Sequence, residues 1–391
     1  MFLRKSLDDK AINPDDLSIQ NLTQAIEASP NEYGNYWTRG LIYDHLGRHQ
    51  QAISDYTRVI AINPKFSNAY INRAADYADL GDFSRGLTDL DIAIKLDSKL
   101  AIAYHNRAFC HLRIGKIDAA YKDISKAISL DPKFVFSYIN RARIILETRT
   151  GSPQQAVMDA SKALELDPDN LEAFLVRGEI LATVGQLQYA IQDFTSAMSK
   201  HPNNPRTYYF RGRTFFYLGN LENALADLNK SLELDANFTP AFYMRSSIYM
   251  KIGNLDNALK DIENYIPRNP DDIQGYYQRG LIHMQQGNSL NALQDFNTYV
   301  SHSPQDVDGF YYLAVIKLNL NKLPDALADI NTAIKANPKD GAILYCRGQI
   351  YQKMGDKKSA IGDITNAIKI GLSPAMEETA KRLLNDIKKT E

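Results

Sequence analysis

Apolar and polar positions recur along this chain with a fixed step. The pair Arg-Gly, Arg-Ala or Arg-Ser occurs at Arg39, Arg73, Arg107, Arg141, Arg177, Arg211, Arg245, Arg279 and Arg347. The step is 34 residues with one step of 36, and Leu313-Ala314 fills the vacant slot. A second series of small residues follows, as at Ala52, Gly86, Ala120 and Ala156, and a third, mostly proline, closes each unit, as at Pro64, Pro132 and Pro168. Ser98, Ala236 and Leu372 stand where that proline is missing.

Within a unit the pattern predicts two helices. Tyr70, Ala74 and Tyr77 fall on one helical face, four and three residues apart. Gly81 ends that helix. A second amphipathic helix carries Gly86, Leu90 and Ala93, and an Asp-Pro or Asn-Pro pair stops it, because the residue before proline avoids helical geometry. Two helices of about twelve residues cannot bury their faces alone. Stacked on neighbours, they share a continuous core.

The 34-residue step, the small and aromatic spacing and the closing proline resemble the tetratricopeptide repeat. The resemblance implies an all-α fold, a right-handed superhelical solenoid of antiparallel helix pairs. It spans residues 33–372 as ten units: 33–66, 67–100, 101–134, 135–170, 171–204, 205–238, 239–272, 273–306, 307–340 and 341–372. Residues 1–32 read as an N-terminal half repeat, with 16–28 as a second-type helix and Ile12-Asn13-Pro14 as an earlier repeat ending. Residues 373–391 read as a polar closing helix behind Ser373-Pro374. The fourth unit has two extra residues near 147–154, where Ser152-Pro153 offers a new helix start; a longer turn and a hinge or contact loop are both open.

Every unit has aspartate at its twenty-third position: Asp55, Asp89, Asp123, Asp159, Asp193, Asp227, Asp261, Asp295, Asp329 and Asp363. Arginine beside a small packing residue is costly if buried and unpaired. The matched series therefore predict a structural ladder of Arg–Asp pairs, within units or between them. A row of ligand-binding arginines is the alternative.

The resemblance further implies that the first helices line a concave groove through their positions 2, 5, 6, 9, 12 and 13. Three zones result. Trp37, with Asp44 and His45, lies in the first unit. Asn72, Asn106 and Asn140 share position 6 of three successive units, like the asparagine ladder of O-linked N-acetylglucosamine transferases, which holds peptide backbone. A plain polar preference at that position explains them equally. Tyr209, Tyr243, Tyr277, Tyr311 and Tyr345 occupy position 5 of the last five units, and Arg213, Phe216 and Tyr217 add to the sixth. Tyrosine is also a common family residue there. The lysine and asparagine positions with which chaperone adaptors of this family clamp a carboxylate are not filled here.

Composition alters this picture only by exclusion. The chain of 391 residues is 44% hydrophobic and 23% charged, with net charge −1. That balance argues against a nucleic-acid or anionic-lipid footprint. Cys110 and Cys346 form no disulfide framework. No apolar run suits membrane insertion, and MFLRKSLDDK has no signal-peptide core, so a cytoplasmic location is expected. Phosphate loops, HExxH and GxSxG are absent. His45 and His49 are separated by the turn at Gly47, and His105 and His111 are six apart, so neither pair predicts a shared metal face. The expectation is a scaffold with neither enzyme activity nor cofactor, holding a protein or extended peptide. The alternatives are a self-assembling structural protein and an adaptor or regulatory subunit of a larger complex.

Overall fold

The computed structural model describes residues 16–389; the repeat ending expected at Ile12-Asn13-Pro14 lies outside them. The described residues are all-α and divide into two compact units, 1–202 and 203–391. The N-terminal unit holds α1 (Asp16–Ala28), α2 (Tyr33–His45), α3 (His49–Ile62), α4 (Ser67–Asp79), α5 (Phe83–Leu96), α6 (Ala101–Arg113), α7 (Ile117–Leu130), α8 (Val135–Thr148), α9 (Pro153–Leu166), α10 (Leu171–Thr183) and α11 (Leu187–Lys200). The C-terminal unit holds α12 (Pro205–Tyr217), α13 (Leu221–Leu234), α14 (Thr239–Lys251), α15 (Leu255–Tyr265), α16 (Gln274–Gln285), α17 (Ser289–His302), α18 (Val307–Asn319), α19 (Leu323–Ala336), α20 (Gly341–Met354), α21 (Lys357–Ile370) and α22 (Pro374–Lys389). A short 3-10 turn, Ile266–Arg268, extends α15. Each helix packs on the next within its unit, and first helices of adjacent pairs also touch, as α4 does α6 and α14 does α16.

Local chemistry fixes the helix ends. Gly47, Gly81, Gly115 and Gly185 turn the chain with φ between 70° and 83°. Such values suit glycine because it lacks a Cβ. Asn321 takes the same role at φ 57°. Several second helices, α3, α5, α7 and α13, stop at an Asp or Asn whose carboxylate or amide oxygen accepts a backbone N–H two residues on. Asp131 accepts from Lys133 at 3.0 Å beside Pro132. Asp97 and Asp235 accept from Lys99 and Asn237, both at 2.9 Å, with no proline following. The aspartate therefore shapes the turn and proline only reinforces it, which explains why Ser98 and Ala236 are tolerated.

The two extra residues of the fourth unit are shared between helix and turn. α8 is one residue longer than α2, and Arg149 closes it at φ 57°. The Ser152 hydroxyl then accepts the Gln155 N–H at 3.1 Å and Pro153 opens α9.

Small residues set the distance between paired helices. A Cβ on Gly178 would lie 2.5 Å from the Phe194 ring, and one on Gly40 or Gly280 would lie 2.8 Å from Tyr56 or Phe296. Opposite an aliphatic residue the position holds alanine, as with Ala74 near Leu90 and Ala108 near Ile124, or glycine, as with Gly212 near Leu228 and Gly348 near Ile364. Opposite Tyr56, Phe194 and Phe296 glycine makes room for the ring.

Candidate functional site

The nine arginines and their aspartates form one repeated structure. In each pair Nε and Nη2 donate to the two carboxylate oxygens at 2.6–2.9 Å, from Arg39–Asp55 through Arg177–Asp193 in the N-terminal unit and from Arg211–Asp227 to Arg347–Asp363 in the C-terminal one. This fork geometry is the strongest form of the contact. The aspartate side chains are nearly covered, 3–10% exposed. Hydrogen bonds donated to the carboxylates push most of the guanidinium pKa values up, so the charge persists at any accessible pH.

The remaining nitrogen, Nη1, reaches the second helix of the preceding pair. Arg39 donates to Thr23, Arg73 to Thr57, Arg141 to Ser125, Arg177 to Ser161, Arg245 to Asn229 and Arg347 to Asn331, at 2.7–3.2 Å. Arg107 reaches Asp91 at 2.8 Å. Each of these seven arginines thereby joins three helices. These acceptors recur with the same 34- and 36-residue steps, a signal in the sequence that the two-residue ladder overlooked. Aromatic rings flank the guanidinium groups: Tyr70 and Tyr77 both lie 5.8 Å from Arg73. The arginines are thus engaged on all sides, which leaves little for a ligand.

The exception is the unit with Leu313. Lys317, one turn later on α18, reaches Asp329 at 2.5 Å. An ammonium offers no fork. Burial pushes the Asp329 carboxyl above its ordinary range, with Lys317 working against the shift.

Several groove expectations need correction. Trp37 is buried, 5% exposed, with its ring 5.4 Å from Tyr56 and 5.0 Å from Phe66. It is a core residue. Asn72 and Asn106 have no exposed surface, so they present no amide row to a peptide. Asn140 is half-buried with Nδ2 3.1 Å from His105 Nε2, while His105 Nδ1 lies 3.0 Å from Ser137 Oγ. Tyr345 is likewise buried. Position 6 lies on the seam between successive first helices, as the contact of Gln278 Nε2 with Ser247 Oγ shows, while position 5 packs on rings of the paired second helix, as Trp37 does on Tyr56. Side chains at both positions fill these contacts before they face a groove.

Tyr243, Tyr277 and Tyr311 are half-buried. The Tyr243 ring lies tilted 5.2 Å from Tyr265, and Tyr277 lies 5.0 Å from Tyr299, both on the paired second helix. Burial raises their hydroxyl pKa values, to about 12 at Tyr311. Tyr209 is half-buried, its ring 5.4 Å from Phe238.

One patch remains open. On α12 the Arg213 guanidinium lies 5.6 Å from the Tyr209 ring and 5.0 Å from Phe210. Phe216 sits 5.9 Å from Tyr217, with the Lys251 ammonium 5.2 Å from the Phe216 ring. Tyr217 is 57% exposed. The result is a set of rings held in place by neighbouring cations, with one face open to solvent.

Family profiles described as tetratricopeptide repeat match residues 34–66, 101–134, 205–238, 243–307 and 311–375, together more than half of the chain. The chain belongs to the tetratricopeptide repeat family. A comparison with curated proteins gave no match. Among solved structures, the chain is similar to YrrB, a tetratricopeptide repeat protein described as having an unusual peptide-binding site, at 24% identity over 49% of this chain and 97% of that one, TM-score 0.41. A tetratricopeptide repeat protein from Parabacteroides merdae ATCC 43184 shares 23% identity over 65% of this chain and 98% of its own, TM-score 0.46. Yeast Tom70 shares 15% over 95% and 92%, TM-score 0.42. Among the described residues no helix is long and apolar enough to cross a membrane.

Proposed function

We propose that this tetratricopeptide repeat chain is a non-enzymatic scaffold that holds a protein or an extended peptide, with α12 and α14 carrying the principal contact. The division into ten repeats over residues 33–372, between an N-terminal half repeat and a closing helix, belongs to the same proposal. The observation that carries the reading is the α12 patch. Tyr209, Phe216 and Tyr217 are held by neighbouring rings and by Arg213 and Lys251, while Tyr217 stays open. Rigid aromatic side chains beside cations offer large contact area at small entropic loss, the character of interface hot spots. The arginine series is spent on structure, so it does not compete as the binding element.

The test is a pull-down with the intact chain against a Tyr209→Ala, Phe216→Ala, Tyr217→Ala variant, followed by an affinity measurement on the captured protein. Hot-spot behaviour predicts a loss of about 1–4 kcal/mol for the residues that carry the contact. Equal affinity in a variant with unchanged helical content would overturn the placement.

Self-assembly is the second reading. It is favoured by exposed apolar residues at one register position, Leu46, Leu80 and Ile114 in the N-terminal unit and Leu218, Ile252 and Met354 in the C-terminal unit. Light scattering across concentration separates the two readings, since a constant monomer mass removes the second.

A further inference from the structure

Three side chains from two neighbouring helix pairs converge in the N-terminal unit. Asp44 is in the last turn of α2, His49 is the first residue of α3, and Asp76 begins the last turn of α4. His49 Nδ1 lies 2.8 Å from Asp76 Oδ1 and 3.8 Å from Asp44 Oδ1. One donor atom from each residue lies within 4.8 Å of the other two. Asp76 has no exposed surface and Asp44 is 8% exposed, while the His49 side chain is 24% exposed.

Sequence spacing hides this arrangement. The histidine pair His45 and His49 shares no face, as expected. His49 instead meets one carboxylate from its own helix pair and another from the next, 27 residues on.

Two independent features favour a cation over a simple His–Asp hydrogen bond. The first is electrostatic. Both carboxylates are buried, close to one another, and placed in the last turns of their helices, where backbone carbonyls already supply negative potential. A divalent ion answers both carboxylates at once and leaves imidazole neutral, its ligating form. The second is the donor set. One imidazole nitrogen and two carboxylate oxygens suit zinc, with bonds of about 2.0–2.2 Å, which puts tetrahedral ligands roughly 3.3 Å apart. The distances from His49 Nδ1, 2.8 and 3.8 Å, bracket that separation.

We propose that Asp44, His49 and Asp76 bind a zinc ion that clasps α2, α3 and α4 together. Three protein ligands leave a fourth position for water, and the exposed side of His49 gives the ion its way in. Because the ligands come from three helices, binding draws on folded structure and stabilises this end of the array by mass action.

The test titrates zinc chloride into the intact, chelator-stripped chain by calorimetry, with thermal melts alongside. Cobalt(II) in place of zinc gives a visible absorption band that reports coordination directly. The expected result is saturation at one zinc per chain and a higher melting temperature with zinc. His49→Ala is expected to weaken binding by roughly tenfold or more. His49 is partly exposed, so this variant keeps the fold; Asp76→Asn is the second, with circular dichroism confirming its helices. His45→Ala is expected to bind as the parent does. Absence of zinc binding by the parent, or binding by folded His49→Ala equal to the parent's, would overturn the proposal. Equal loss in His45→Ala would overturn the assignment of ligands.

Discussion

At the scale of single residues, the contrast between Asp227 and Asp329 isolates what the arginine fork contributes. Asp227 accepts two hydrogen bonds from Arg211, both at 2.8 Å. Asp329 has a lysine, and burial holds its carboxyl above the ordinary range. Asp227→Asn removes a charged partner, and a loss of about 1.5–3 kcal/mol follows in denaturant unfolding at neutral pH. Asp329→Asn is expected to lose less. Asp329 also makes the loss depend on pH. A raised carboxyl pKa contributes stability that is complete below the unfolded value and is lost as pH rises through the folded one. Asp329→Asn should therefore gain on the parent between acid and neutral pH. A difference that does not change over that range would show that Lys317 fully compensates.

At the scale of elements, helix pairs are matched by size. Gly178 faces Phe194 so closely that a Cβ would sit 2.5 Å from the ring. Gly178→Ala forces either the ring or α10 to move, and overpacking of this kind loses about 1–3 kcal/mol. Phe194→Leu recreates the alanine–leucine pairing of Ala74 and Leu90. In the double variant the loss should shrink, as read by melting temperature. Strict additivity of the two single changes would contradict the size-matching account. The helix boundaries were legible because their causes are local: glycine at the first turn, an aspartate turn at the second, Ser152-Pro153 at α9. That arginines and aspartates pair was also legible, because a fixed step repeats both series, but that each pair lies within one unit came from the structure. The arginines' second contact with the preceding pair was encoded by the same step.

At the scale of the whole molecule, contacts are nearest-neighbour in kind. The arginine clasp reaches back one helix and forward one helix within each unit, as Arg141 does to Ser125 and Asp159. Stability in such arrays is a sum over adjacent pairs. Hydrogen exchange on Gly178→Ala should accordingly lose protection in α10, α11 and their immediate neighbours, with α20 and α21 unaffected. Uniform loss along the chain would mean longer-range cooperativity than the clasps provide.

The sequence by itself determined the helices, their pairing and the two matched series of arginine and aspartate, because each depends on residues within one repeat or one step of it; which aspartate each arginine meets was decided by the structure. Tertiary structure decided which side chains are surface. Trp37, Asn72, Asn106 and Tyr345 share register positions with residues that face outward in the family pattern, yet they are buried here, Trp37 under the rings of Tyr56 and Phe66. The α12 patch stays open at Tyr217. The meeting of His49 with Asp76 was equally a tertiary outcome, since helical periodicity assigns a residue to a face but not to its neighbour across a seam.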